Sequence, residues 1–313
     1  MRTIPIAGLS RGLSQLVLGT DWINQDRAGQ GFALMDRFVE LGGSALDTAH
    51  CYTGGQSERV IGQWLTARGH RDRMTIITKG AHPRPGSPRP RVRPECIDED
   101  LAESLERLGL DRVDVYLLHR DNKRVPVGPI VQCLTEHQRA RRIGAFGGSN
   151  WSHGRTSRTN AYAADHGLTP FALSSPNLSL AVPNGPMWSG CVSLNDHGWR
   201  WHRRTQFPLL SWSSQARGFF SGRYDPADPA AAGDVARVYY NQGNWDRLAR
   251  CRELAGRRGC EPIQIALAWV LNQPFPVAAV VGPQTIEELK SCVAAAAIEL
   301  SEQELRWLRE GTD

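Results

Sequence analysis

VDVYLLHR, residues 113–120, is a mainly apolar run that ends abruptly in a histidine and an arginine. Such a run, without strict alternation of apolar and polar residues, is typical of a parallel strand covered on both faces. The chain contains seven more runs of this kind: QLVLGT (15–20), SALDTAH (44–50), RMTIITKG (73–80), IGAFGGSN (143–150), FALSSPN (171–177), PLLSWSS (208–214) and AAVVGP (278–283). The sequence therefore predicts eight buried strands.

The segments between these runs carry apolar residues three and four positions apart, which predicts amphipathic helices. The clearest are FALMDRFVELG (32–42), SERVIGQWLTARG (57–69), CIDEDLAESLERLGL (96–110) and PIQIALAWVLNQ (262–273). Eight strand–helix units predict a closed (β/α)8 barrel of the TIM type, formed by residues 1–313 as one domain. Residues 3–19 are expected to form a β-hairpin that caps the barrel bottom, and residues 218–246 a long functional loop.

The composition of the chain argues against several classes of function. The chain has 313 residues, of which 41% are hydrophobic and 22% charged, and its net charge of +5 is spread along the sequence. No apolar run is long enough for a membrane helix and MRTIPIAGLS is unlike a signal peptide, so we expect a cytoplasmic protein without membrane or nucleic-acid partners. The seven scattered cysteines form no Cys-x-x-Cys pair, and we expect no metal.

Reactive side chains follow successive predicted strands at the end where barrel enzymes carry their chemistry. Asp47 and Tyr52 lie at the end of the second strand, Lys79 ends the third, and His119 ends the fourth. A tyrosine has a pKa near 10, and a neighbouring ammonium lowers it. A carboxylate would hold that ammonium in place, and a histidine would orient a carbonyl group. The four side chains together predict a proton-transfer site.

The same residues resemble a known family. Asp-Thr-Ala-x-x-Tyr at 47–52, Thr-Lys at 78–79, Leu-His at 118–119 and Gly-x-Ser-Asn at 147–150 are similar, in order and spacing, to the aldo-keto reductase superfamily, and the likeness runs from Gly19 to Gly282. The short C-terminal tail is more like bacterial and channel-subunit members. The resemblance implies an NAD(P)H-dependent oxidoreductase that reduces an aldehyde or ketone to an alcohol, with Tyr52 as general acid tuned by Lys79 and Asp47, and His119 orienting the carbonyl.

The resemblance also implies a cofactor site, with NADP(H) as first choice and NAD(H) as the alternative. The implied contacts are Gly19, Thr20, Asp21, Ser149, Asn150, Asn177, Trp212, Ser213, Gln215, Arg217, Gly218, Gly282, Gln284, Thr285, Glu288 and Cys292. The chain departs from the family in three respects. Trp212 replaces the usual stacking tyrosine, and Asn177 replaces the usual glutamine. At the adenosine end, Gln284-Thr285 replaces the usual Arg or Lys that pairs with the 2′-phosphate, and Cys292 stands where asparagine is usual. Loss of the Arg or Lys weakens discrimination for NADP(H).

Several features stay open. Trp22 and Trp151 either line a substrate pocket or pack at its rim. The arginine-rich loop 84–93 is either a solvated loop or an attractor for anionic substrates. A cofactor-binding regulatory subunit with little turnover, and a non-redox barrel hydrolase or isomerase, are alternatives to a reductase. The natural substrate, the direction of reaction and the oligomeric state do not follow from the sequence.

Overall fold

The computed structural model describes residues 1–87 and 89–311 and confirms the barrel. Eight parallel strands close on themselves in chain order, and the last pairs with the first. Their bounds are β3 Leu16–Gly19, β4 Ala45–Asp47, β5 Thr75–Gly80, β6 Val113–Leu118, β7 Ile143–Ser149, β8 Leu173–Ser175, β9 Leu209–Ser211 and β10 Val277–Val281. Each lies within, or one residue outside, a predicted run. All eight are almost entirely buried, because helices cover their outer faces and side chains fill the interior.

Helices form the outer layer. Their bounds are α1 Ala28–Glu40, α2 Gln56–Arg68, α3 Pro94–Leu108, α4 Val127–Arg139, α5 His153–Asp165, α6 Asp196–Thr205, α7 Pro229–Ala232, α8 Asp234–Tyr239, α9 Gln242–Arg258, α10 Pro262–Leu271, α11 Ile286–Ala295 and α12 Glu302–Glu310. Four short 3₁₀ helices occupy Gln25–Arg27, Tyr52–Gly55, Arg71–Arg73 and Ala216–Ser221. Within residues 1–87 and 89–311, no helix combines the length and apolar character needed to cross a bilayer.

The N-terminal hairpin caps the barrel, as the sequence predicts. Its strands, β1 Thr3–Ile4 and β2 Leu13–Ser14, pair antiparallel. Ile4, Ile6 and Leu13 pack with the inward-facing side chains of the strands in one buried cluster. The hairpin therefore closes the amino-terminal end of the strands, and the carboxyl-terminal end is the open mouth.

The prediction of a long loop at residues 218–246 is wrong in part. The segment is only partly irregular, since it contains the end of the 3₁₀ helix Ala216–Ser221, helices α7 and α8, and the first turn of α9. Side-chain caps stabilise these short elements: Asp228 accepts from the Ala231 amide at the start of α7, and Asn241 from the Asn244 amide at the start of α9. The Gly, Asp and Pro residues that suggested a loop therefore serve as helix boundaries.

Candidate active site

A lysine–carboxylate–tyrosine chain lies at the mouth. Lys79, at the end of β5, donates from Nζ to Asp47 Oδ2 at 2.6 Å, to the Thr48 carbonyl at 2.8 Å and to Tyr52 Oη at 3.0 Å. Lys79 and Asp47 are both almost completely buried. All three hydrogens of the ammonium are used, so its position is fixed. The structure thus brings together three of the four residues that the sequence selected.

The protonation of the three hydrogen-bonded side chains differs from the expectation that Lys79 lowers the pKa of Tyr52. Burial raises the pKa of Tyr52 more than the Lys79 ammonium lowers it, so its pKa lies above 10. Burial alone would lower the pKa of Lys79, but Asp47 and Tyr52 hold it above its usual range. At neutral pH the site therefore holds an ammonium and a protonated phenol, which can donate a proton.

His119 lies beside this chain. Its ring is 5.6 Å from the ring of Tyr52, edge to face, and the side chain is 6% exposed. Burial, with the nearby charges of Lys79 and Arg120 and the neighbouring His82, holds the pKa of His119 well below 6.5. The imidazole is therefore neutral, and it can donate one hydrogen bond without carrying a charge.

Two side chains that the sequence did not single out complete the group around His119. Cys51 Sγ lies 3.6 Å from His119 Nδ1, and the ring of His82 lies 4.8 Å from that of His119. If the Cys51 thiol donates to Nδ1 of His119, the ring hydrogen of His119 is on Nε2. From Nε2 it can be donated to a carbonyl oxygen. Cys51 occupies a position of the Asp-Thr-Ala-x-x-Tyr motif at which any residue is allowed, so the motif could not identify Cys51 as a site residue.

Backbone strain is concentrated around the mouth. Of the non-glycine residues with positive φ, six directly follow or closely follow the strand ends: Thr53, Ala81, Asn150, Ser213, Ala216 and Arg217. Left-handed backbone at such residues costs free energy and is usually maintained where function requires it. The run from Ser213 to Gly218, expected to bind a pyrophosphate through its backbone, holds three of these six and a left-handed glycine.

Ser149, Asn150 and Asn177 lie at the ends of β7 and β8 as expected, but their polar groups already have partners. Asn150 donates to the His119 carbonyl at 3.1 Å and to Ser149 Oγ at 3.2 Å, and accepts from the Val192 amide at 3.0 Å. Asn177 donates to the Trp212 carbonyl at 2.9 Å. A carboxamide bound here would have to share or replace some of these bonds.

An aromatic pair borders the same region. The ring centroids of Trp212 and Trp188 lie 6.2 Å apart, and the Arg217 guanidinium lies 5.6 Å from the centre of the Trp188 ring. Trp188 is 45% exposed, which is unusual for a tryptophan. In contrast, Trp199 and Trp201 pack in the outer layer, where Trp199 donates to Gln273 and Trp201 contacts Phe207.

The two candidate pocket tryptophans have different environments. Trp22 follows β3 and is half-buried. Trp151 is 2% exposed, donates to the Arg120 carbonyl at 3.0 Å, and is packed against Phe171, with the Arg155 guanidinium over its ring. These contacts cover Trp151 almost completely, whereas Trp22 remains partly exposed.

The residues expected at the adenosine end lie around β10 and α11. Cys292 donates to Gln215 Oε1 at 3.5 Å, which joins α11 to the 213–218 turn. Thr285 caps α11 by accepting from the Glu288 amide at 3.1 Å, and the Glu288 carboxylate accepts from the Gln284 amide at 2.7 Å. A carboxylate therefore lies beside Gln284, one of the two positions at which the resemblance implies a cation. Gly282 lies exposed after β10.

The first strand end supplies the remaining expected contacts. Thr20 Oγ1 donates to the Asp47 carbonyl at 2.9 Å and bonds Ser57 Oγ at 2.7 Å, so it ties β3 to β4 directly behind the lysine chain. Gly19 is the last residue of β3, and Asp21 is exposed at the rim. Thr20 is completely buried and positions Asp47, whereas Asp21 is accessible to a ligand.

Most of the charge that the structure shows in the arginine loop is neutralised internally. Arg91 is 7% exposed and forms a two-pronged pair with Asp100, at 2.8 Å for each contact. Asp100 also accepts from the Ala81 amide at 2.7 Å, and Arg84 pairs with Glu99 at 2.7 Å. Arg91 therefore holds the turn that leads to His82 and is unavailable to an anionic substrate.

Unpartnered buried atoms test whether a polar ligand fits this mouth. Among the described residues, Asp47 Oδ1 and the indole nitrogens of Trp22 and Trp212 are buried without a hydrogen-bond partner. Such atoms cost free energy unless something satisfies them. One acceptor and two donors at the ends of β3, β4 and β9 are therefore left unpaired at the mouth.

Comparison with known proteins agrees with this geometry. The family model described as the aldo/keto reductase family matches residues 12–311. The chain is 25% identical over 290 residues to aldo-keto reductase yakc [NADP(+)] of Schizosaccharomyces pombe, covering 90% of this chain and 82% of that protein. It is 29% identical over 315 residues to the uncharacterized oxidoreductase Rv2298 of Mycobacterium tuberculosis, covering 97% and 90%.

Two further similarities extend the comparison. Norsolorinic acid reductase stcV of Emericella nidulans is 27% identical over 326 residues, covering 96% of this chain and 78% of that protein. The crystal structure of the thermostable aldo-keto reductase Tm1743 superposes with a TM-score of 0.75 at 20% identity, over 99% of each chain. The structural similarity to Tm1743 supports the assignment of the fold.

Proposed function

Because the chain belongs to the aldo/keto reductase family, which makes it an NAD(P)H-dependent oxidoreductase, we propose that it reduces an aldehyde or ketone with Tyr52 as the proton donor. The observation that carries this proposal is the Asp47–Lys79–Tyr52 chain, with contacts of 2.6 Å and 3.0 Å beside a neutral His119. A buried ammonium directed at a protonated phenol, with a neutral imidazole beside it, suits transfer of a proton to a carbonyl oxygen.

The side chains divide the work as follows. His119 donates from Nε2 to the carbonyl oxygen and holds the carbonyl near Tyr52. A reduced nicotinamide, when bound, would supply the hydride that the carbonyl carbon receives. Tyr52 donates its phenolic proton to the oxygen as negative charge develops there. The Lys79 ammonium stabilises the phenolate that is left, and Asp47 keeps that ammonium charged and in place.

The high pKa of Tyr52 suits the role of proton donor. Burial keeps the phenol protonated at neutral pH, which is the form that protonation of a carbonyl oxygen requires.

For the cofactor we propose NADP(H), with weak discrimination against NAD(H). One relative carries NADP(+) in its name. No arginine or lysine occurs between Gly282 and Leu289, and the Glu288 carboxylate lies beside the Gln284 amide. The nicotinamide end is proposed to be held by Trp212, Trp22 and Asp47, with Ser149, Asn150 and Asn177 sharing their present bonds, and the pyrophosphate by the 213–218 turn.

A regulatory subunit that binds the cofactor with little turnover is the alternative function, and it predicts saturable cofactor binding without reduction. The test combines binding with turnover. Quenching of tryptophan fluorescence by NADPH and NADH measures affinity, and loss of reduced-nicotinamide absorbance with a panel of aldehydes, ketones and sugars measures reduction. Saturable binding with turnover supports a reductase, binding without turnover supports the regulatory role, and no binding overturns both.

A further inference from the structure

Cys51, His82 and His119 form a three-sided cluster at the mouth. Their ligand atoms all lie within 4.8 Å of one another, and they come from the ends of three successive strands, β4, β5 and β6. We propose that this cluster is a binding site for Zn²⁺, and that Zn²⁺ bound there blocks access of the carbonyl substrate.

The spacing suits a zinc ion. With Zn–S near 2.3 Å and Zn–N near 2.0–2.1 Å, a tetrahedral site separates a sulfur and a nitrogen ligand by roughly 3.6 Å. The contact between Cys51 Sγ and His119 Nδ1 is 3.6 Å. The remaining pairs, which lie within 4.8 Å, need to close by at most about 1.5 Å to reach tetrahedral spacing. His82 and Cys51 are half-exposed and can make that adjustment.

The orientation of His82 also matches a metal ligand. His82 Nδ1 lies 2.7 Å from the Pro83 carbonyl, so Nδ1 carries the hydrogen and Nε2 keeps the free electron pair. Metal-binding histidines usually donate their other nitrogen to a carbonyl or carboxylate in this way. Ala81, which precedes His82, is held by its amide hydrogen bond to Asp100 Oδ2, so the histidine is presented by a fixed turn.

The ligand atoms select the kind of metal, and the nearby cations already have partners. Lys79 and Arg120 lie near the cluster, but Lys79 is paired with Asp47, and Arg120 bonds the carbonyls of His119 and Ser189. One sulfur and two nitrogen ligands favour zinc over magnesium or calcium, which prefer oxygen ligands. Binding releases one proton, that of the Cys51 thiol, to solvent, and a zinc–sulfur bond forms in its place.

A second cluster is a weaker candidate and serves as a control. Asp98, Cys133 and His137 also lie within 4.8 Å of one another, on α3 and α4. There, His137 Nε2 already bonds Asp98 Oδ1 at 2.7 Å, and the Cys133 thiol contacts the same oxygen at 3.4 Å. This cluster has internal hydrogen bonds that account for its arrangement.

The metal site stands on geometry, whereas its effect on turnover rests on the proposed function, so the two are measured separately. Metal-free protein is titrated with Co²⁺, and the cobalt–thiolate absorption band is followed. We expect one equivalent per chain, displaced by Zn²⁺ and unaffected by Mg²⁺. Cys51→Ser should abolish the band and His82→Gln should weaken binding at least tenfold, while Cys133→Ser and His137→Gln should leave both unchanged. A band that survives in Cys51→Ser, or that is lost in Cys133→Ser, overturns the site.

Inhibition is then measured at saturating cofactor, with each variant compared with its own rate without metal. Zn²⁺ is expected to raise the KM for the carbonyl in the wild type and in His137→Gln. In Cys51→Ser and His82→Gln, the inhibition constant should rise at least tenfold. Zn²⁺ that binds at the cluster but leaves the KM unchanged refutes the blocking role. If the protein shows no turnover with any carbonyl, the proposed reductase activity fails while the cobalt titration still decides the site.

Discussion

Lys79 Nζ lies 2.6 Å from Asp47 Oδ2, and the side chains are 3% and 4% exposed. A buried ion pair of this kind contributes little net stability, but removal of one partner strands a charge in the interior. The structural and catalytic roles of the pair can therefore be separated. Removal of both charges avoids an unpaired buried charge, but Tyr52 still lacks the neighbouring ammonium.

We predict that Lys79→Met and Asp47→Asn each lower the free energy of unfolding by about 3–5 kcal/mol, and that the double variant recovers most of this loss. Reduction should stay impaired in all three, because the ammonium beside Tyr52 is absent or misplaced. Urea unfolding and steady-state kinetics check the two effects. Recovery of activity in the double variant would mean that the pair is only structural.

The Arg91–Asp100 pair leads to a second prediction. Arg91→Met should lower the free energy of unfolding by about 3–5 kcal/mol, because Asp100 is left charged and buried. The control Arg89→Met removes an exposed arginine of the same loop and should change stability by about 0.5 kcal/mol or less. The ratio of KM values for acidic and neutral carbonyls should be unchanged in Arg91→Met; a rise for acidic carbonyls alone would restore the anion-attracting role.

Glu288 provides a test of cofactor preference. Glu288→Gln keeps an oxygen that can accept from the Gln284 amide but removes the charge, so affinity for NADPH should rise by about 2–5-fold, with affinity for NADH unchanged. Glu287→Gln, the neighbouring exposed carboxylate, is the matched control and should have a smaller effect. Fluorescence titration gives both constants. An equal change for the two cofactors would place the 2′-phosphate away from Glu288.

His202 gives a pH dependence of stability. It bonds Ser174 Oγ and the Phe207 carbonyl, and burial lowers its pKa to about 4. Because the folded pKa lies below the unfolded value near 6.5, the unfolded chain binds the extra proton as pH falls from 6.5 to 4, and stability is lost across that window. We expect the stability difference between wild type and His202→Gln to shrink by up to about 3 kcal/mol from pH 7 to pH 4. Urea unfolding at pH 7, 5.5 and 4.5 follows it, and a pH-independent difference would argue that His202 is not held neutral.

The sequence predicted the barrel because its eight strands are buried on both faces and therefore read as apolar runs. Asp47, Lys79 and His119 could be found for a related reason: each ends a strand, and parallel strands bring their carboxyl ends to one edge. Tyr52 could be identified because it is the last residue of the Asp-Thr-Ala-x-x-Tyr motif.

Other features depend on contacts far apart in sequence. Nothing at Asn150 indicates that the Val192 amide satisfies its side chain, and nothing at Arg91 indicates that it turns inward to Asp100. The pKa of Tyr52 was expected to fall next to Lys79 and instead rises, because the degree of burial is a property of the fold. Cys51 and His82 meet His119 through turns whose backbone conformations no motif describes.

The phenol of Tyr52 is the proposed proton donor, and removal of its single oxygen tests the mechanism most directly. Tyr52→Phe should bind NADPH with nearly unchanged affinity but reduce carbonyls with a kcat lower by about 100-fold or more. Tyr162→Phe, a partly exposed tyrosine on α5 stacked on His166, should match the wild type. If Tyr52→Phe instead reduces its substrate at the wild-type rate, Tyr52 is not the proton donor and the proposed mechanism is wrong.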